Sequence, residues 1–279
     1  MTNTVPIELA ERTEIEAYAD FATGAPAPLW ETLGISSLRV GSALALVVRH
    51  DPSRFFNRAG GFGADEPVTV DHLAEVCDFY RESGVSQGMI MIAPSQLPPD
   101  WEVIAAKLRL TEGSRYAKLG CDVETALSVS EVDDAEALDS GLRVGLVEPR
   151  QAHEWATVMM TTFGFAQATV DMAASCVGRP NWRQYAVWEG ERIMAVGSIH
   201  IYGGCADMFG GATLPEARGR GAQSALLTAR AHAAREEGCR WMVAETGAES
   251  PGGHNTSLHN MLRAGFEPLY ERVTWLWRG

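Results

Sequence analysis

Ala206-Asp-Met-Phe-Gly-Gly-Ala-Thr-Leu-Pro-Glu-Ala-Arg-Gly-Arg-Gly-Ala-Gln-Ser-Ala-Leu-Leu227 is the stretch on which the reading of the chain turns. It predicts a strand over about 204–213, a turn opened by Pro215, an Arg/Gly loop over 218–221 and a helix from Ala222 to Glu237, stopped by Gly238. Gly219 and Gly221 lack a Cβ, so the backbone there turns sharply and comes close to a ligand, while the amides of the first helical turn converge on the same point. The helix dipole favours a negative charge at that point by about 0.3–2 kcal/mol. Arg218 and Arg220 add charge-assisted hydrogen bonds, so a pyrophosphate fits better than a Gly-rich turn with two solvated arginines. No Gly-Lys-Ser/Thr follows, as a P-loop requires, and the Gly-x-Gly-x-x-Gly spacing of a dinucleotide fold is missing.

At these residues the chain resembles the GNAT acyltransferases. Arg218-Gly-Arg-Gly221-Ala-Gln223 is similar to the family's Arg/Gln-x-x-Gly-x-Gly/Ala loop, although Gln223 stands where Gly or Ala is usual. Thr213-Leu-Pro215 before the loop, the strand Arg240-Trp-Met-Val-Ala-Glu245 and a second helix ending in Arg263-Ala-Gly265-Phe266 complete the likeness, which covers about 143–279. The resemblance implies acetyl-CoA as the acyl-donor substrate and no metal. Its holders would be the main chain of Ala212 and Thr213 and the loop residues Arg218, Gly219, Arg220, Gly221, Ala222, Gln223 and Ser224. Ser257 and Asn260 of Ser257-Leu-His-Asn260 would bond it from the second helix. The two strands would splay apart, and an amide near Gly210 or Gly211 would polarise the thioester carbonyl.

The implied activity is an N-acyltransferase in which a small-molecule amine attacks the thioester directly in a ternary complex. An ordinary primary ammonium titrates at about pH 10, so a group in the site must take its proton. Glu245 and Asp207 are the candidates, with Glu245 preferred. Family members often carry a Tyr four residues before the Gly of the Gly-Phe turn to protonate the leaving thiolate. That position is Met261, which leaves Tyr270 as the candidate acid. The alternative implied by Met261 is a non-catalytic acyl-CoA-binding or regulatory module.

The remaining composition narrows the class of protein. The chain has 279 residues, 46% of them hydrophobic and 21% charged, enough for a packed core in one large or two ordinary domains. No apolar run approaches a membrane span, and the N-terminus is acidic rather than signal-like, so a cytoplasmic protein with no membrane partner is expected. The five cysteines are widely spaced, with no Cys-x-x-Cys pair, and read as isolated core thiols. Residues 1–140 carry 10 basic and 23 acidic side chains against 13 and 13 in 141–279, a field that repels nucleic acid. A monomer or homodimer is expected.

An offset of 154 residues superposes Phe55 on Phe209, Leu73 on Leu227, Arg81-Glu-Ser-Gly84 on Arg235-Glu-Glu-Gly238 and Leu108-Arg109 on Leu262-Arg263. The expected fold is therefore α/β (α+β), with two GNAT-like domains, each a mixed, mainly antiparallel sheet flanked by helices. Residues 1–130 would form a degenerate copy, 131–141 an acidic linker and 142–279 the copy that binds acyl-CoA. The same offset puts Ala64-Asp-Glu-Pro-Val-Thr69 where the second half has its loop, so Asp65 and Glu66 would repel phosphates. Arg115 to Leu127 reads as a strand or strand pair, and Val273-Thr-Trp-Leu-Trp277 as an edge or closing strand with core tryptophans.

Overall fold

The computed structural model describes residues 4–132 and 138–279. The first half runs α1 (Ile7–Thr23), α2 (Ala27–Leu33), β1 (Ile35–Val40), β2 (Ala43–Val48), β3 (Arg58–Gly60), α3 (Val70–Glu82), β4 (Gln87–Met91), α4 (Trp101–Leu108), β5 (Thr111–Asp122) and α5 (Val123–Val132). The second runs β6 (Leu142–Leu146), α6 (Ala152–Thr162), α7 (Val170–Ala174), β7 (Trp182–Glu189), β8 (Arg192–Tyr202), β9 (Cys205–Thr213), α8 (Ala222–Glu236), β10 (Trp241–Gly247), α9 (Thr256–Arg263) and β11 (Glu267–Arg278).

Local chemistry explains most of these boundaries. Thr69 caps α3 by accepting from the His72 amide, and Asn255 caps α9 by accepting from that of Leu258. Gly41 at φ 57° turns the chain between β1 and β2, where a residue with a Cβ would be strained. In β2 the side chains alternate as a strand dictates. Leu44, Leu46 and Val48 join the core formed with α1, α2, α6 and α7, whereas Ala43, Ala45 and Val47 join the one under α3 and α4.

The helices flank a mixed, largely antiparallel sheet, as expected, but its eleven strands form one continuous sheet rather than one per half. Their order is β1-β2-β3-β4-β11-β5-β10-β9-β8-β7-β6. Each half gives its last strand to the other: β11 lies between β4 and β5, and β5 lies between β11 and β10. The expectation for β11 is corrected accordingly, since it is an interior strand. Its Trp277 is buried, and Trp275 packs edge-on against Trp101 with centroids 4.9 Å apart. The strand read through Leu127 ends at Asp122, where α5 begins and packs on α8 through Val123, Ala126 and Leu127. Residues 131 and 132 of the expected linker continue α5, and 133–137 lie outside the described residues.

Candidate functional site

Strands β9 and β10 pair in parallel only at Cys205–Trp241, Ala206–Met242 and Asp207–Val243; beyond that they diverge. On the other side of β9 the register with β8 slips between Val196–Ala212 and Ser198–Phe209, so Gly210 and Gly211 form a bulge opposite the single residue Gly197. Gly210 has φ 64°, and a Cβ there would fall 2.4 Å from the Met159 sulfur, so the bulge requires glycine. From it β9 runs into the loop and α8. Gly219 and Gly221 both have positive φ, and Gly221 is the N-cap residue of α8. Among the described residues no backbone carbonyl accepts from the amides of Gly219, Arg220, Gly221, Ala222 or Gln223.

A groove of about 1080 Å³ opens over these amides. Of the residues expected to hold the acyl donor, all but Ser224 line it: Ala212, Thr213, Arg218 to Gln223, Ser257 and Asn260. Arg263 at the C-terminal end of α9 lines it too and donates to Asn260 Oδ1 at 2.6 Å, which fixes how the Asn260 amide is presented. Unpaired amides at a helix N-terminus, a close-approach bulge and a splayed strand pair suit an elongated phosphorylated thioester. Arg220 departs from expectation. It is bonded to Asp139 at 3.2 Å and Glu189 at 2.7 Å, so its charge braces the groove wall and is already paired. Arg218 is exposed beside the loop.

A second cavity of about 530 Å³ adjoins the groove, sharing Phe163, Gly211, Gln223 and Ser257 with it. Asp207 and Glu245 both line it, Asp207 where the strands part and Glu245 two residues further along β10. Burial pushes each carboxyl up to about 7. They differ in their partners. Glu245 is ion-paired to Arg272, whereas Asp207, 5% exposed, has no hydrogen-bond or ion-pair partner among the described residues. Arg230 of α8 is 1% exposed, donating from Nε to the Leu226 carbonyl at 3.0 Å and from Nη1 to that of Ser198 at 3.4 Å. Its Nη1 and Nη2 both lie 3.7 Å from the Cβ position of Gly211, directly beneath the bulge. Burial lowers this guanidinium to about 10.

Tyr270 is placed elsewhere. Its hydroxyl donates to Glu11 at 2.5 Å, it lines neither the groove nor the second cavity, and burial beside Glu11 raises its pKa far above the usual phenol range. It belongs to an ion cluster beneath the second cavity. Arg272 donates from Nη1 to both Glu11 oxygens at 2.6 Å and from Nη2 to Glu14 at 2.8 and 2.9 Å, and Lys118 Nζ donates to Glu14 at 2.6 Å. Burial opposes ionisation of Glu14, but Arg272 and Lys118 overcome it and hold that carboxyl well below its usual range.

Sequence reasoning missed Glu11, Glu14, Lys118 and the guanidinium of Arg230. A lysine in the apolar run Tyr116-Ala-Lys-Leu119 was the one local signal; the partners are brought together by the pairing of β5 with β10 and β11 and by the packing of α1 and α8 on the sheet. The expected set contains no metal ligands. Glu249, His254 and His259 do bring ligand atoms within 4.8 Å of one another beside the groove. Glu249 Oε1 there already accepts from the Asn255 amide at 2.7 Å and lies 3.1 Å from His259 Nε2.

The sequence profile of the acetyltransferase (GNAT) family matches residues 150–266, which supports homology to that family across the groove and bulge. No curated protein matches the chain. Among solved structures, a GCN5-related N-acetyltransferase from Kribbella flavida is similar at a TM-score of 0.62 and 15% identity, covering 94% of this chain and 96% of that one. A tandem GNAT protein from the clavulanic acid biosynthesis pathway gives 0.59 and 14%, with 98% and 97% covered. A GCN5-related N-acetyltransferase from Sphaerobacter thermophilus gives 0.56 and 14%, with 100% and 97% covered. At these identities the likeness is one of fold. No helix among the described residues is long and apolar enough to cross a membrane.

Proposed function

We propose that the chain is an acyl-CoA-dependent N-acyltransferase that moves an acetyl group from acetyl-CoA to the amine of a small molecule by direct attack in a ternary complex. One observation carries this reading: the groove over the unpaired loop amides and the second cavity meet at the Gly210–Gly211 bulge. A thioester bound there presents its carbonyl to an amine in the cavity. The amides of Gly219 to Gln223 take the diphosphate, and Ala212 and Thr213 pair with the pantetheine arm. Ser257 and Asn260 bond it from α9.

Asp207, unpaired and titrating near neutrality, takes a proton from the incoming ammonium, while Glu245 is held by Arg272 and tunes the field. The bulge amide and Arg230 meet the negative charge that develops on the carbonyl oxygen. Overall the N–C bond forms, the C–S bond breaks, and the ammonium's protons are divided between the amide product, the thiol and solvent.

The halves are proposed to be two GNAT-like copies, 1–130 and 142–279, of which only the second binds acyl-CoA. The equivalent groove of the first half, about 480 Å³, is lined by Glu8, Asp65 and Glu66 and, among the described residues, by no basic one; Asp65 is ion-paired to Arg12, so Glu8 and Glu66 are the charges that repel a diphosphate. Incubation with acetyl-CoA and an amine panel, read by release of free thiol, tests the activity. Tight CoA binding without thiol release from any amine would transfer support to a non-catalytic acyl-CoA-binding module, the reading favoured by Met261 in the cavity wall.

A further inference from the structure

Within the acyltransferase reading, on which this step rests, the second cavity has a composition that selects its acceptor. Four ring contacts make one continuous aromatic wall: Phe163 to Phe165 at 6.3 Å between centroids, Phe165 to Phe55 at 5.2 Å, Phe55 to Tyr18 at 5.8 Å and Tyr18 to Phe209 at 5.0 Å. The wall starts at Phe163, which borders both cavities and is 51% exposed, a large aromatic surface left open at the join. It ends at Phe209, two residues from Asp207 and so on the same face of β9. A cavity of about 530 Å³ is the size of a small-molecule site, and its apolar length leads to a single unpaired carboxylate.

The charges fix the orientation. An ammonium does not have to seek the aromatic faces, because the Arg58 guanidinium already lies 3.7 Å from the Tyr18 ring centre and 4.0 Å from that of Phe55. Asp207 is the group that lacks a partner, and a buried carboxylate without one is costly until a cation arrives. A carboxylate next to the amine is disfavoured, since it would join Asp207, Glu14 and Glu245 where Arg272 and Lys118 are already engaged by Glu11, Glu14 and Glu245; the cations of the lining itself are Arg230, bonded to the Leu226 and Ser198 carbonyls beneath the bulge, and the exposed Arg54. A polyamine would drive further cations against the rings with no second unpaired carboxylate among the described residues of the lining to meet them, since Glu14 and Glu245 are held by Lys118 and Arg272.

We infer that the acceptor is an arylalkylamine: one amine, seated on Asp207, carried by an aromatic and otherwise uncharged body that lies along the Phe163–Phe209 wall. The test uses the whole protein with phenethylamine, phenylalanine and spermidine, measuring thiol release from acetyl-CoA and, separately, calorimetric binding of each amine. Phenethylamine is expected to exceed phenylalanine and spermidine at least tenfold in kcat/KM. Asp207→Asn and Phe165→Ala are each expected to weaken phenethylamine binding at least tenfold while leaving acetyl-CoA affinity unchanged. Preferred turnover of phenylalanine or spermidine would overturn the inference and leave the acyltransferase reading standing. Phenethylamine binding that depends on Asp207 and Phe165 without thiol release would do the reverse. If phenethylamine neither binds nor reacts, or binds equally well to both variants, the inference is overturned.

Discussion

Asp207 and Gly221 show how single positions set the site. Folding raises the Asp207 carboxyl to about 7 from the ordinary value of about 3.9, so the folded state binds more protons between those limits. The sign follows: the penalty is absent at pH 4 and below, grows as the pH rises and is complete above about 7. Asp207→Asn removes the penalty, so its melting temperature relative to wild type is expected to be unchanged at pH 4 and higher at pH 8. Calorimetry at the two pH values checks this. In the proposed reaction the same ionisation gives kcat/KM a rising limb near pH 7, which the Asn variant should lose. Gly221, at φ 74°, tolerates a side chain poorly, at a cost of about 1–3 kcal/mol, and an acidic one would also repel the diphosphate. Gly221→Glu is therefore expected to abolish CoA binding in calorimetry, whereas Asp65→Ala and Glu66→Ala should leave it intact. Equal losses from both sets would contradict a single site in the second half.

The unit of strand, bulge, loop and helix is where local sequence and structure agree most closely. Gly210 and Gly211 were legible as a close-approach point, and Gly219, Gly221 and the start of α8 as an anion cradle, because each depends on neighbours within a few residues. The halves' matching element order was also legible, from spacing. What was not legible depends on residues far apart in the chain. The Arg220 pairs with Asp139 and Glu189 require α8 to meet the β7–β8 turn, and Tyr270 was drawn to Glu11, 259 positions away. The burial of Arg230 follows from α8 packing over Gly197, where a Cβ would lie 3.0 Å from its guanidinium carbon. At this scale Gly210→Val is expected to force Met159 aside or flatten the bulge, costing about 1–3 kcal/mol of stability. It should reduce kcat by a larger factor than it reduces CoA affinity, since the cradle on α8 is untouched. Equal loss of both in steady-state kinetics and calorimetry would mean that the bulge only supports the groove.

Exchange of β5 and β11 makes the halves one object energetically. Strand β10 pairs over seven residues with β5 of the other half, and β11 is held on both sides by first-half strands. The ions sit on that join: Arg272 from β11 serves Glu11 and Glu14 of α1 and Glu245 of β10, with Lys118 of β5 completing the cluster. The cluster is a poor source of net stability, since desolvating charges costs nearly what pairing returns, but removing its central cation leaves buried carboxylates uncompensated. Arg272→Met is expected to destabilise the protein by about 3–5 kcal/mol. Because the strands interlock, that loss should reach both halves. Hydrogen exchange should therefore show the amides of β2 and β8 losing protection together and by the same amount. If β8 kept wild-type protection while β2 opened, the second half would fold independently of the exchanged strand, and the ion cluster would be a local feature of the first half.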